Sequence, residues 1–169
     1  MKEISTLART CGSCMMCCKL TKIEFFDKPA GRWCTHAKSG FGCSIYNARP
    51  NECEKFACEW LLNQGLGSEW QPSVAKFLMF TRETTSDLII LPDPGFPANW
   101  KRHPYYSFIK ETAARFIEIN RLTMVIIGNK LTFILPDRDV THIASDNDKF
   151  VLKKTSSTNG IKYDVVLGH

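Results

Sequence analysis

No cysteine occurs before position 11 or after position 58, although the 169-residue chain carries eight of them. Residues 60–169 are therefore left to fold on hydrophobic burial, which their aliphatic runs can supply. Long apolar stretches are missing throughout. Runs such as Met124–Ile127 fall far short of the roughly 20 residues a transmembrane helix needs. Met1–Thr10 has one early lysine and no apolar stretch of signal-peptide length. The expected compartment is the cytoplasm, where thiols stay reduced, and no membrane partner is expected.

Dense Lys/Arg runs are missing too, so the formal charge of +5 reads as a solvated surface and not as a nucleic-acid footprint. Thiols that bind metal lose their protons. Eight thiolates with two divalent ions would bring that +5 to about +1. Catalytic signatures are equally absent: no hydrolase elbow, no phosphate loop, no dinucleotide fingerprint. Gly65-x-Gly67 reads as a helix end. Asp137, Asp139, His142, Asp146 and Asp148 lack the glycine and closing glutamate of a calcium loop and read as a solvated loop. His103 reads as structural or exposed. There is no internal repeat and no low-complexity segment.

What is present divides in two. Hydrophobic residues at 44% and charged residues at 23% suit a globular chain, of a length that holds one core with an appended metal module. Residues 1–64 form a cysteine-rich region of loops and turns that needs metal to hold its shape. Residues 65–169 form an α+β part, expected to pack with the first as one compact unit. Arg49-Pro50 marks a helix start, with Glu52 and Glu54 suited to its N-terminal end. That helix is expected to run through Phe56, Trp60 and Leu61 to about Gly65–Gly67. Val74–Thr81 and Asp87–Leu91 read as a hairpin. Pro104 opens the clearest helix, whose apolar stripe is Tyr105, Ile109, Thr112, Phe116 and Ile119. Met124–Ile127 and Leu131–Leu135 suggest a second hairpin, and Phe150–Lys153 with Ile161–Leu167 a third. The expected class is α+β, a mostly antiparallel sheet with one or two helices beside the cysteine-rich head.

The first cysteine cluster is Cys11-Gly12-Ser13-Cys14-Met15-Met16-Cys17-Cys18. A C-x2-C spacing lets the backbone turn so that both sulfurs face one metal. Cys18, if the chain is extended there, points away from Cys17 and serves a second metal or another corner of a cluster. Cys34, Cys43, Cys53 and Cys58 make the second group. On one continuous helix Cys53 and Cys58 would diverge by roughly 140°, so either the helix begins after Cys53 or the two face different metals. Eight sulfurs suit two closed tetrahedral zinc sites. Each site is expected to mix ligands from both groups, which would pin residues 19–33 as a loop. His36 could replace one cysteine, though a lone histidine is more often no ligand. Cys11, Cys14 and Cys17 also match the C-x2-C-x2-C part of a ferredoxin run, without its usual Cys-Pro continuation. Zinc and an iron–sulfur centre both stay open, as does a disulfide framework, and one or two cysteines could be buried thiols.

Cys11-x2-Cys14-x2-Cys17-Cys18, followed by Gly42-Cys43-Ser44-Ile45-Tyr46-x2-Arg49-Pro50-x2-Cys53-x2-Phe56-x-Cys58, resembles the YkgJ-like cysteine-cluster family. That family is described as a zinc- or iron-chelating domain and contributes a related cysteine region to flagellin lysine methylases. The resemblance covers residues 11–60 and implies metal chelation by the cysteines. Two functions follow as expectations. One is a non-catalytic module with about two zinc ions and an unknown protein partner. The other is an iron–sulfur protein that transfers electrons or supports a methyl-transfer-like modification. Tyr46 is large enough to cover a metal site, with core packing as its alternative. Arg49 could donate hydrogen bonds to thiolate sulfurs, with a surface helix start as its alternative.

Overall fold

The computed structural model describes residues 9–145, 147–158 and 160–168. The expected α+β class holds: short helices accompany mostly antiparallel strands. No helix among the described residues is long and apolar enough to cross a membrane. The chain falls into two compact units, one of residues up to Phe80 with Leu91–Trp100, the other of Thr81–Ile90 with the residues from Lys101 onward.

The first unit is built from very short elements. Helix α1 spans Met16–Leu20, strands β1 (Ala37–Lys38) and β2 (Gly42–Cys43) pair antiparallel, and helices α2 (Asn51–Lys55), α3 (Glu59–Leu62) and α4 (Pro72–Ala75) precede strand β3 (Phe77–Thr81). Met16 and Leu20 stand one turn apart and bury the same face of α1 against Cys58, Leu61 and Leu78. Two expectations need correction here. The helix expected from Pro50 to Gly65 is two helices, because Phe56 is extended (φ −73°, ψ 123°) and Cys58 starts α3 with extended backbone. Phe56 stacks edge-on with Phe80 at 5.3 Å, and Cys58 is buried in the core. A continuous helix could not satisfy both contacts. The strand expected from Val74 begins only at Phe77, since Pro72 suits a first helical turn and Lys76 closes α4 in the left-handed region.

The second unit carries strands β4 (Leu88–Pro92, its first three residues), β5 (Thr123–Ile127), β6 (Lys130–Ile134) and β7 (Asp139–Ile143) in that order. Helix α5 (Tyr105–Glu118) lies between β4 and β5 in the chain, and those two strands pair in parallel, Leu88 with Thr123 to Ile90 with Val125. Such a pairing needs a crossover connection, which a reading in hairpins alone misses. The Asp87 carboxylate accepts the Leu122 N–H at 2.8 Å and starts the pair. The β5–β6 hairpin forms as expected. So does the third, as β8 (Lys149–Ser157) and β9 (Gly160–Gly168), with Phe150 opposite Leu167.

Helix α5 begins after Pro104 as expected, but its buried face is Tyr105, Ile109, Thr112, Ala113 and Ile117. Ile119 is 59% exposed, because the helix ends at Glu118 and the chain turns at Asn120 with φ 58°. The acidic stretch is not a loop where it contains β7, since Asp139 to Ile143 pair with Ile134 to Lys130. Asp139 accepts a hydrogen bond from the Tyr106 hydroxyl at 3.0 Å, and the His142 ring packs between Phe133 and Phe150. Asp146 lies outside the described residues.

Candidate metal centre

Seven of the eight cysteines line one cavity of about 190 Å3: Cys11, Cys14, Cys17, Cys18, Cys34, Cys43 and Cys53. All eight are free thiols. The eighth, Cys58, lies beside them in the apolar core, and Cys11, Cys14 and Cys17 pack against the cluster it belongs to.

Local folding explains the convergence. Cys14 N–H donates to the Cys11 carbonyl at 2.9 Å, closing the first C-x2-C turn. The chain is not extended at Cys17 and Cys18, so the condition for their pointing apart is not met; both occupy α1, whose Met16–Leu20 face is held by the core. Neighbours on a helix differ by only about 100°, so both sulfurs reach the cavity and the Cys17 thiol hydrogen-bonds Cys18. Cys34 N–H donates to the Cys18 carbonyl at 3.0 Å, and Cys43 pairs with Ala37 across the β1–β2 ladder. Gly42 (φ +96°) presses against the first turn so closely that a Cβ there would lie 2.7 Å from the Gly12 carbonyl oxygen. Only glycine permits both that φ and that approach. Cys53 sits in α2, which Glu52 ties to the turn at residues 24–26 by accepting the Phe25 N–H at 2.8 Å and the Glu24 N–H at 3.2 Å.

The charges around the thiols are specific. The Tyr46 hydroxyl donates to Cys11, and Tyr46 is 38% exposed, so it borders the cavity and does not fill the core. The Arg49 guanidinium lies 3.6 Å above the Tyr46 ring. Its Nε is buried with no hydrogen-bond partner among the described residues. Buried donors normally have acceptors, and a thiolate or sulfide is one that would suit this position. His36 lines the cavity as well, with its ring 4.9 Å from that of Phe26.

Lys28 went unnoticed in the sequence, where a lysine in Asp27-Lys28-Pro29 looks like an ordinary turn residue. It is only 7% exposed. Its ammonium donates to the carbonyls of Thr21, Pro29 and Arg32, with a longer contact to that of Lys19. Burial lowers its pKa, while Cys34, Cys18, Cys17 and Cys53 act to raise it. Among the thiols, the hydrogen bond from Cys17 holds Cys18 down at about 7, aided by the charges of Lys28 and Arg49. Cys17 is pushed well up by the same hydrogen bond and by burial. Burial also raises Cys11, and brings Cys53 and Cys58 to about 11.

The donor set fits a metal–thiolate centre: soft sulfur ligands, two nearby cations and an unpartnered buried donor. Among the described residues, no three Cys, His, Asp or Glu side chains already stand where one ion would bind all of them. A cysteine sulfur turns about one torsion, so the gathering of backbones decides which thiols can share an ion. No family model, curated protein or solved structure matches this chain.

If the cysteines hold a metal, Arg49→Ala would remove a support and not a ligand. It should weaken metal affinity by about 10–100-fold, the usual cost of losing a group behind the ligands. Chelator competition measures this, and a loss of metal as complete as in Cys53→Ser would assign Arg49 a different role.

Proposed function

We propose that this chain is a metal-chelating module whose cysteine cluster binds about two zinc ions and thereby holds the cysteine-bearing unit in shape. One observation carries it: seven free thiols from four separated stretches of chain line a single cavity. Scattered buried thiols would have no reason to gather beside an unpartnered Arg49 Nε and a buried ammonium. Zinc would supply tetrahedral cross-links between loops too short of apolar side chains to hold themselves. A closed four-thiolate site has no open position for catalysis, so the module presents a surface to a protein partner. The resemblance of residues 11–60 to the YkgJ-like family points the same way, and reduced thiols suit a cytoplasmic location.

The second reading is an iron–sulfur protein that transfers electrons or supports a methyl-transfer-like modification. The C-x2-C-x2-C spacing supports it, as does the presence of Cys11, Cys14 and Cys17 together on the cavity wall. Elemental analysis with a visible spectrum, on protein purified without oxygen, separates the two. Two zinc per chain and no colour are expected. Iron with matching sulfide and a brown colour would replace zinc by the second reading, and a metal-free chain would sink both.

A further inference from the structure

We propose that the cysteines form two four-sulfur ligand sets, Cys11, Cys14, Cys17 and Cys58 in one and Cys18, Cys34, Cys43 and Cys53 in the other, with Lys28 the buried counter-charge of the second. The proposal rests on the chelation reading and deepens it.

Two independent features divide the thiols in the same way, and Cys53 completes the second set. The first is packing. Cys58 is buried with Met16, Leu20, Leu61 and Leu78, and the cysteines packed against that cluster are Cys11, Cys14 and Cys17. The second is backbone hydrogen bonding. Cys34 N–H donates to the Cys18 carbonyl, the Cys34 carbonyl accepts from Ala37, and Ala37 pairs with Cys43. These links stitch Cys18, Cys34 and Cys43 together without any member of the first set.

The split crosses the order of the sequence. Cys18 leaves the C-x2-C-x2-C run and Cys58 joins it, so each centre ties the first cysteine cluster to the later group. Helix geometry allows this. Cys17 and Cys18 are adjacent on α1 and differ in direction by about 100°, enough for each to serve a different ion. The surroundings differ as well. Four thiolates around a divalent ion leave a net negative charge, and a buried charge needs a partner. The buried Lys28 ammonium donates to the carbonyls of Lys19, the neighbour of Cys18, and of Arg32, two residues before Cys34. The first set is backed by apolar side chains, with Tyr46 and Arg49 lining the same cavity as Cys11.

Native mass spectrometry of the zinc-loaded chain reads the partition directly. Cys58→Ser, Cys14→Ser, and the two together should each leave one zinc. Cys53→Ser should also leave one, and Cys53→Ser with Cys58→Ser should leave none. If one substitution removes all zinc, or the cross-set pair keeps an ion, the partition is overturned. Should these variants fail to fold, stepwise removal of zinc from the wild-type chain with pulsed alkylation answers instead. Release of the first ion should expose four cysteines of one set together, and a label mixed between sets would overturn the proposal. Lys28→Met keeps every thiol and should weaken one zinc about tenfold or more while sparing the other. Equal affinities for both ions, as in wild type, would remove Lys28 from the assignment. A wild-type chain that binds neither zinc nor iron overturns chelation itself. A wild-type chain with two zinc ions whose variants break this pattern overturns only the partition.

Discussion

Stripping metal from the chain with a chelator under reducing conditions should unfold its cysteine-bearing unit. Hydrogen exchange followed by mass spectrometry should then show residues 11–62 losing their protection, while the β5–β6 hairpin keeps its own. The helices of this region have five, five and four residues, and its ladder has two residues per strand. Isolated helices shorter than roughly 12–15 residues are marginal in water, so these elements cannot sustain one another by local structure. Metal binding to a structural thiolate site contributes on the order of 10–16 kcal/mol, as much as the whole stability of an ordinary domain. The small core around Met16, Leu20, Leu61 and Leu78 orients the thiols but cannot replace that amount. Unchanged protection in residues 11–62 after complete metal removal would show that the unit folds on its apolar contacts alone.

Phe133→Ala should produce a comparably large effect in the other unit, without touching metal content. Phe133 is 1% exposed, stands opposite Met124 of β5 and Val140 of β7, and packs against Phe150 and His142 at 5.1 and 5.9 Å. Removing a buried ring costs about 3–5 kcal/mol, through lost transfer energy and the cavity left behind. For a unit of this size the melting temperature should fall by on the order of 15 °C, measurable by calorimetry. The zinc-to-protein ratio of the folded variant should equal that of wild type. A shift of only a few degrees would mean that the site collapses around the missing ring.

These two outcomes would distinguish a unit held by ligands from one held by burial, the contrast expected from the placement of the cysteines. Local signals served well where neighbours in the chain are also neighbours in space. Pro104 marked the start of α5, Gly128-Asn129 marked the β5–β6 turn, and C-x2-C marked the Cys11–Cys14 turn. The residue types around the thiols were legible too. Arg49 and Tyr46 stand at the cavity because the chain turns at residues 46–48 between β2 and α2.

Three features were decided by tertiary contacts alone. The helix after Pro50 breaks because Phe56 finds Phe80 and Cys58 finds the core, and nothing within a few residues of the break announces either partner. Cys18 turns to the same cavity as Cys17 because Met16 and Leu20 make their stretch helical by burying one face. A five-residue helix has too little intrinsic stability to be read from propensity. Lys28 becomes a buried ammonium because carbonyls from Thr21, Pro29 and Arg32 converge on it. Composition and spacing thus supply the thiols and their order along the chain. Which of them meet is set by burial and hydrogen bonds between residues far apart in the chain, whose energies no local pattern records.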